Sequence, residues 1–339
     1  MSNKCYALEQ SPLYRLRNRR KLATLLKLDE RYFSQEHEYA YHGFSRPKPN
    51  GDGMRKFTVP SDDLKIIQKQ ISKLMSRIET PDWVMSGKKS CSYITNAKFH
   101  LEYPFIKTMD ISKFYDSAQR AKIYDMFLKH FQMEHDIAWV MTELVTYNGC
   151  LPTGSPSSQL IIYWAYSSMF DEIEKISEQY GCSFSLYVDD MTFSSNRSIS
   201  RELREDVSVI LRRNNLKAKA KKDHYYQARD FKIVTGVGMR NGNMIVPNSK
   251  RKAIIFLYSE CRKHNNIKEI EKLNGMLCSL RQIEPNIFPE IFNYVKRFEQ
   301  DLKALSKKRI YIERRKASYE KRNRNCNVSI NNEDEVKVC

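Results

Sequence analysis

The sequence predicts an α+β fold, in which a body of mixed helices and strands is followed by a purely helical C-terminal part. Up to about residue 246, short apolar runs suited to strands alternate with segments whose apolar residues recur at helical spacing. From there to about residue 322, every periodic segment is helical. With 339 residues, of which 41% are hydrophobic, the chain is long enough to bury a sizeable core.

The individual elements follow from periodicity and from helix-ending residues. Ser61, Asp62 and Asp63 predict a helix start, with Ser61 as a cap and the carboxylates at the positive helix end. Further helices are predicted at 118–131 and 157–180, the second ended by Gly181. Strands are predicted at 105–109, 184–188 and 231–237.

Charge is the first indication of a partner. The 58 Lys and Arg residues exceed the 40 Asp and Glu residues by 18, and such an excess favours a polyanion because basic side chains displace counterions from phosphates. The excess is concentrated in residues 303–324, where a solvated helix face or a solubility tail is the alternative explanation. The basic residues of this run are Lys303, Lys307, Lys308, Arg309, Arg314, Arg315, Lys316, Lys321, Arg322 and Arg324.

The composition also bears on location. No segment approaches the roughly 18 apolar residues of a membrane span, and the first thirty residues contain no apolar signal-peptide core. The eight cysteines are far apart, without a Cys-x-x-Cys pair. We therefore expect a cytoplasmic protein with reduced thiols and no membrane partner.

The segment 184–195 contains the first candidate site. Apolar residues alternate at 184, 186 and 188 and resume at 191 and 193, which predicts two strands joined by a tight turn at Asp189 and Asp190. Adjacent carboxylates repel each other, and a divalent metal would relieve that repulsion. An exposed polar turn is the alternative.

Two further segments extend this site. Asp110 follows the predicted strand 105–109, and with Asp189 and Asp190 it would supply oxygen ligands from separate strands, as two-metal phosphoryl transfer requires. The small-residue turn at 151–158, which contains Thr153 and Gly154, lets a nucleotide or template base approach the backbone closely. The alternative is that this turn only leads into the following helix and binds no ligand.

In their order and spacing, these segments resemble the motifs of a reverse transcriptase over roughly residues 40–245. Asp110 with Phe114-Tyr115, the 151–158 turn, and Tyr187-Val188-Asp189-Asp190 are similar to motifs A, B and C. The segments 96–100 (Asn-Ala-Lys-Phe-His) and 234–236 (Val-Thr-Gly) resemble two elements of bacterial retron reverse transcriptases. Singly, Asn96 could cap a turn, His100 could be a partly buried histidine, and the Val-Thr-Gly segment could end a strand.

The resemblance implies a right-hand polymerase architecture. It predicts fingers and palm at 36–246 with an antiparallel sheet plus helices, and a basic helical thumb at 247–322. We also expect a basic helical segment at 1–35 and, from its acidic, Asn-rich composition, a disordered tail at 323–339. Two departures from the family pattern stand out: Thr153 occupies a position where reverse transcriptases usually have Gln, and Val188 one where retron enzymes usually have Ala.

The resemblance also implies residue roles. Asp110, Asp189 and Asp190 would be catalytic and, with the Ile111 carbonyl, would bind two Mg²⁺ ions. For the nucleotide, Arg55 would hold the triphosphate, Tyr115 would exclude a 2′-hydroxyl, Thr153 and Gly154 would lie beside the substrate, and Lys222 would protonate pyrophosphate. Arg55 could instead bind backbone phosphate. The expected RNA-binding residues are Asn96, His100, Val234, Thr235, Gly236, Lys307, Lys308, Arg314, Arg315 and Lys316.

The expected function is RNA-directed DNA synthesis in a retron. A structured noncoding RNA would be copied from a guanosine 2′-hydroxyl into a branched RNA–DNA product, and the system would act in anti-phage defence with a separate effector protein. The alternatives are another bacterial reverse transcriptase, of the abortive-infection, diversity-generating or intron-derived kind, and a catalytically silent RNA-binding scaffold.

Overall fold

A computed structural model describes residues 5–29, 31–34, 37–47 and 53–312. The chain divides into two compact units, Met1–Asn243 and Met244–Cys339. Helices and antiparallel sheets are mixed in the first unit, and this confirms the α+β class. Residues 313–322 of the predicted thumb and the predicted tail at 323–339 lie outside the described residues.

The helices of the first unit are short to medium in length. They are α1 (Arg19–Leu26), α2 (Asp62–Met75), α3 (Tyr93–Phe99), α4 (Phe114–Ser117), α5 (Arg120–Asp125), α6 (His135–Val145), α7 (Ser158–Ala165), α8 (Ser167–Gln179) and α9 (Arg201–Arg213). The strands are β1 (Tyr41–Pro47), β2 (Met54–Pro60), β3 (Phe105–Asp110), β4 (Ser183–Tyr187), β5 (Asp190–Ser195), β6 (His224–Tyr226), β7 (Lys232–Val234) and β8 (Val237–Arg240). A last short strand, β9 (Asn243–Ile245), spans the boundary of the units.

A four-stranded antiparallel sheet in the order β4-β5-β3-β6 forms the centre of the first unit. Because side chains alternate along a strand, the sheet has an apolar and a polar face. Apolar side chains of one face belong to the main buried cluster of the unit: Met109, Phe184, Leu186, Met191 and Phe193. The opposite face carries Asp110 and Asp190, followed by hydroxyl side chains: Thr108, Ser185, Thr192 and Ser194.

Two predicted helices differ from the structure in detail. Helix α2 begins at Asp62 as expected and buries Leu64, Ile67 and Ile71, but the side chain of Ser61 makes no capping hydrogen bond. The predicted helix 157–180 is interrupted at Tyr166, whose φ of −119° and ψ of 13° end α7 before α8 starts. Both halves bury apolar residues, so the hydrophobic pattern alone does not reveal the break. Gly181, at a φ of +66°, lies just beyond α8.

The predicted helix 118–131 and the predicted strand 231–237 are also divided. Residues 118–131 form α5 and then a π-helical turn, Met126–His130. The prediction of one strand over 231–237 is wrong at residues 235 and 236. These two residues, Thr235 and Gly236, form the turn of a β7–β8 hairpin and have φ values of +44° and +77°. Positive φ at both turn residues is the geometry that matches the twist of a tight hairpin.

The second unit is helical, with α10 (Asn248–His264), α11 (Ile267–Arg281), α12 (Pro289–Lys296) and α13 (299–312). An ion pair between Arg251 and Glu284, with contacts of 2.6 and 2.7 Å, joins α10 to the segment after α11. Arg309 of α13 contacts Glu271 of α11 at 2.7 Å. Buried apolar side chains line α10, α11 and α12: Ile254, Ile270, Leu273, Leu277, Leu280, Ile291 and Val295. None of the helices in the described ranges has the length and apolar character needed to cross a bilayer.

Candidate active site

The β4–β5 hairpin presents two of the predicted catalytic residues. Tyr187 pairs with Asp190, so the turn residues are Val188 and Asp189, one position earlier than the predicted turn at Asp189 and Asp190. The turn begins at Val188, which has a positive φ of +61°, and strand pairing starts again at Asp190, the first residue of β5. A β-branched residue in this region is strained, and the Val188 N–H donates to the Ser86 hydroxyl at 3.1 Å.

Asp110 joins this hairpin through the sheet register. Asp110 at the end of β3 lies opposite Asp190 of β5, and the Ile111 N–H donates to the Asp189 carbonyl at 3.0 Å. One carboxylate oxygen from each of Asp110, Asp189 and Asp190 lies within 4.8 Å of the other two. Asp110 is more than 70 positions away from Asp189 and Asp190 along the chain, but folding brings all three into one acidic cluster.

The acidic cluster is shielded from water. Asp110 is only 3% exposed, and Asp189 and Asp190 are partly buried. Burial and the charge of Asp110 raise the pKa of Asp189, while burial and the charge of Asp189 raise the pKa of Asp190 to about 7. Such shifts are typical of carboxylates that are partly buried and held close together.

Lys222 provides a positive charge at this cluster. Its ammonium contacts the Asp110 carboxylate and lies 3.4 Å from Asp190 Oδ1. Burial lowers the pKa of Lys222, but the hydrogen bond to Asp110 and the charge of Asp190 outweigh that effect and the pKa is raised. The segment before it runs along the end of β3, since the Lys219 N–H donates to the Asp110 carbonyl at 2.8 Å.

The donor set of the acidic cluster fits a hard divalent cation. Three carboxylates supply only oxygen ligands, which Mg²⁺ and similar ions prefer. The mutual repulsion that raises the pKa values of Asp189 and Asp190 would fall on binding a cation. Asp110, Asp189 and Asp190 are therefore the residues that could hold such an ion here.

A cavity of about 720 Å³ opens beside the acidic cluster. Its volume lies within the range of small-molecule sites, roughly 300–1,000 Å³. The cavity brings together most of the residues predicted for nucleotide or metal binding: Arg55, Asp110, Ile111, Tyr115, Thr153, Asp189 and Lys222. Burial, followed by the charge of Asp189, raises the pKa of Tyr115 to about 12, so its phenol is neutral.

The 151–158 turn is attached to β2, the strand that carries Arg55. The Gly154 N–H donates to the Thr58 carbonyl at 2.9 Å, and a Cβ on Gly154 would come within 2.6 Å of Val59 Cγ2 and 2.7 Å of the Thr58 oxygen. The Thr153 hydroxyl accepts from the Thr58 N–H at 3.3 Å and donates to the Lys56 carbonyl at 3.4 Å. Close backbone contact with β2 therefore requires glycine at 154.

Three basic residues of the cavity were not predicted as site residues. Lys56, Lys113 and Lys219 line the cavity with the residues described above. Lys56 follows Arg55 in the sequence, and Lys113 follows Asp110 by three positions, so proximity to the motifs was the available signal. Positive charge in a cavity beside carboxylates suits a polyphosphate ligand.

Three residues predicted to bind RNA are buried instead. Asn96, His100 and Val234 are each 0% exposed. His100 contacts the hydroxyls of Ser194 and Ser185 at 2.7 and 2.6 Å, and burial lowers its pKa to about 3. Direct contact of these side chains with RNA does not fit this placement, because none of them reaches the protein surface.

The other predicted RNA-binding residues divide into two groups. Thr235 and Gly236 are partly exposed at the β7–β8 turn, and Lys307 and Lys308 are exposed on α13. The predicted residues Arg314, Arg315 and Lys316 lie outside the described residues.

The fold and the acidic cluster agree with comparison to known families. The family model described as "Reverse transcriptase (RNA-dependent DNA polymerase)" matches residues 46–239, which is more than half of the chain. The chain belongs to the reverse transcriptase family.

Three similar proteins within this family are retron reverse transcriptases. The chain is 26% identical to the Retron Se72 reverse transcriptase of Salmonella heidelberg (strain 579083-10) over 217 residues, covering 62% of this chain but only 57% of that protein. It is 24% identical to the Retron Ec86 reverse transcriptase of Escherichia coli, over 73% of this chain and 77% of that protein. Identity to the Retron Ec83 reverse transcriptase of Escherichia coli is 25%, over 69% and 80% of the two chains. These relatives confirm the predicted resemblance to bacterial retron reverse transcriptases.

Proposed function

We propose that this protein is the RNA-directed DNA polymerase of a retron. The observation that carries the proposal is the convergence of Asp110, Asp189 and Asp190 in one acidic cluster, of which Asp110 and Asp189 line a cavity together with Arg55 and Tyr115. The match to the reverse transcriptase family and the retron relatives supports it. The intact acidic cluster argues against a catalytically silent scaffold.

The proposed reaction is the attack of a priming hydroxyl on the α-phosphorus of a dNTP. The priming hydroxyl gives up its proton to water, a bond forms between its oxygen and the phosphorus, the bond from the phosphorus to the bridging oxygen breaks, and pyrophosphate leaves. Asp110, Asp189, Asp190 and the Ile111 carbonyl would hold two Mg²⁺ ions, which would activate the attacking oxygen and stabilise the leaving group. The Lys222 ammonium, already beside Asp110, would donate its proton to pyrophosphate.

The cavity residues would bind and select the nucleotide. Arg55 and the newly found Lys56, Lys113 and Lys219 supply positive charge for the triphosphate. Tyr115 would pack under the deoxyribose, where a 2′-hydroxyl would meet its ring. Thr153 and Gly154 would act indirectly for the most part, because their polar atoms are engaged with the backbone of β2.

The retron-specific part of the proposal concerns the template and the primer. A structured noncoding RNA would be the template, and a guanosine 2′-hydroxyl in it would be the primer, giving a branched RNA–DNA product. The partly exposed Thr235–Gly236 turn and the exposed Lys307 and Lys308 would contact that RNA, together with Arg314, Arg315 and Lys316. The names of the relatives support this assignment.

The proposal extends to the cellular role. We propose a bacterial cytoplasmic location, where both dNTPs and the RNA transcript are present. A separate effector protein would complete an anti-phage system, as the retron resemblance implies.

The decisive experiment is to purify the protein with its bound nucleic acid and to sequence across the RNA–DNA junction. A DNA strand joined to a guanosine 2′-oxygen within one structured RNA is the expected result. A product that starts from a DNA 3′-end or from a protein would instead indicate another bacterial reverse transcriptase. Retention of the cellular function by Asp189→Asn would favour the scaffold.

A further inference from the structure

His100 connects both strands of the hairpin that carries Asp189 and Asp190. Its Nδ1 lies 2.7 Å from the Ser194 hydroxyl on β5, and its Nε2 lies 2.6 Å from the Ser185 hydroxyl on β4. Ser185 precedes Tyr187, the last residue of β4, by two positions, which is roughly 7 Å along an extended strand. One side chain at the end of α3 therefore holds the two strands together close to the acidic tip.

The hydrogen bonds continue from Ser185 to the β7–β8 turn. The Ser185 hydroxyl donates to Asn96 Oδ1 at 2.7 Å, and Asn96 Nδ2 donates to the Thr235 hydroxyl at 3.4 Å. Thr235 in turn donates to the Tyr93 carbonyl at 2.6 Å. We call this series of contacts, from Ser194 through His100, Ser185 and Asn96 to Thr235, the buried polar chain.

With a neutral His100, a single assignment of hydrogens satisfies the buried polar chain. Thr235 gives its single hydroxyl hydrogen to Tyr93, so it must accept from the Asn96 amide nitrogen. Asn96 Oδ1 then accepts the Ser185 hydrogen, which leaves Ser185 to accept from His100 Nε2. Burial lowers the pKa of His100 to about 3, so the ring is neutral and carries its one hydrogen on Nε2, and Nδ1 accepts from Ser194.

The burial of the chain determines what it can do. Asn96, His100, Ser185 and Ser194 are each 0% exposed, so none of them can reach a nucleic acid. A buried polar network in which every member is paired makes its surroundings rigid and holds them in one arrangement. Its two ends are the acidic hairpin and the partly exposed Thr235–Gly236 turn.

We infer that Asn96, His100, Ser185 and Thr235 are positioning residues that hold the Asp189–Asp190 tip and the Thr235–Gly236 turn in fixed relation to α3. This inference rests on the proposed function, because the position of the tip matters for rate only if the tip carries the reaction. On this inference, the segments 96–100 and 234–236 together hold the catalytic hairpin in place, and neither Asn96 nor His100 needs to contact RNA.

The test uses the full-length protein and four variants. Ser185→Ala interrupts the chain beside the catalytic hairpin, and Thr235→Val removes the hydroxyl at the far end while keeping the branched shape. Thr235→Ser retains the hydroxyl. Ser183→Ala is the matched control, since Ser183 lies on β4 and the same face but bonds to the Tyr103 hydroxyl at 2.8 Å, outside the chain.

Three quantities are measured for each protein: kcat and KM for dTTP on poly(rA)/oligo(dT), the thermal midpoint, and hydrogen–deuterium exchange of residues 183–195. Ser185→Ala and Thr235→Val should lower kcat at least fivefold with KM changed less than twofold. Ser183→Ala should keep kcat within twofold at a similar thermal midpoint. Thr235→Val should speed exchange in residues 183–195, which do not include Thr235, and Thr235→Ser should recover most of both losses.

Three results would overturn the inference: kcat within twofold of wild type for Ser185→Ala or Thr235→Val, unchanged exchange of residues 183–195 in Thr235→Val, or an equal kcat loss in Ser183→Ala. An inactive wild-type protein would count against the proposed function alone. The exchange measurement needs no activity, so it would still decide whether the chain holds the hairpin.

Discussion

Asp110 and Asp190 lie directly opposite each other in the antiparallel register of β3 and β5. Like charges at directly opposed positions destabilise a sheet, so this pairing carries an energetic cost unless a cation lies between the carboxylates. Lys222 contacts both of them in the structure. The pairing therefore concentrates negative charge at one sheet end, where divalent cations would be held.

Removal of one carboxylate from the acidic cluster should nearly abolish DNA synthesis. Asp189→Asn keeps the shape of the side chain but removes a charged oxygen ligand, and metal-assisted stabilisation of the transition state contributes several kcal/mol. We expect kcat to fall by about 10³-fold or more on poly(rA)/oligo(dT). Asp125→Asn, which removes an exposed carboxylate paired with Lys129 at 3.0 Å, is the control and should stay near wild type. Similar losses in both variants would contradict the assignment.

Replacement of Tyr115 should relax discrimination against ribonucleotides. The ring lines the cavity beside Asp110 and Asp189, and a smaller side chain would open space next to the sugar. We expect Tyr115→Val to raise the ratio of kcat/KM for UTP to that for dTTP by about 10- to 100-fold. This corresponds to a loss of about 1–3 kcal/mol in the discrimination against the 2′-hydroxyl. Tyr115→Phe keeps the ring and should keep the discrimination. An unchanged ratio in Tyr115→Val would place the steric gate elsewhere.

The acidic cluster should make the stability of the metal-free protein depend on pH. The folded protein raises the pKa of Asp190 from 3.8 to about 7, so between these values it binds a proton that the unfolded chain has released. Stability therefore falls as the pH rises from about 4 to about 7 and stays lower above it.

Asp190→Asn removes this contribution of Asp190. In EDTA at pH 8 its thermal midpoint should lie a few degrees above that of the wild type, and the difference should shrink towards zero near pH 4. Saturating Mg²⁺ should stabilise the wild type at pH 8 more than the variant. A variant that is less stable than the wild type at pH 8 in EDTA would show that the repulsion is already relieved within the protein.

Gly154→Ala should displace the 151–158 turn from β2. Its new Cβ would lie 2.6 Å from Val59 Cγ2 and 2.7 Å from the Thr58 carbonyl, and the backbone oxygen cannot rotate away. We expect a loss of about 1–3 kcal/mol in the free energy of unfolding and a raised KM for dNTPs, because β2 carries Arg55. Gly43→Ala is the control, since Gly43 lies on β1, which pairs with β2, and a Cβ there would meet nothing within 4 Å. Equal effects would argue against close contact at 154.

Neutralisation of Lys307 and Lys308 should weaken RNA binding in a salt-dependent manner. Each lost phosphate contact lowers the slope of log Kd against log salt by about one unit. The double variant should therefore show a slope smaller by up to about two, measured by titration of a structured RNA between 50 and 200 mM salt. Lys129→Ala/Lys263→Ala removes two lysines that already pair with Asp125 and Glu260, and should change the slope little. Equal slopes in the two double variants would exclude α13 from the interface.

The amino-acid sequence was sufficient to locate the acidic cluster, because two short motifs in the right order and spacing supply its three acids. It also predicted α2, from the apolar residues Leu64, Ile67 and Ile71, and the paired strands on either side of Asp189. It did not reveal the break at Tyr166 or the exact turn residues, since one position more or less leaves the apolar pattern almost unchanged.

The sequence by itself determined which acids could act together, since Asp110, Asp189 and Asp190 each follow or join strands of recognisable apolar pattern. Only the tertiary structure decided that Asn96 and His100 face inward, that Lys222 contacts Asp110 and Asp190, and that Thr153 bonds to β2. Motif spacing reports order along the chain, whereas burial and hydrogen-bond partners depend on which distant segments pack against each other. Ser185 and Thr235 became neighbours of Asn96 through folding alone.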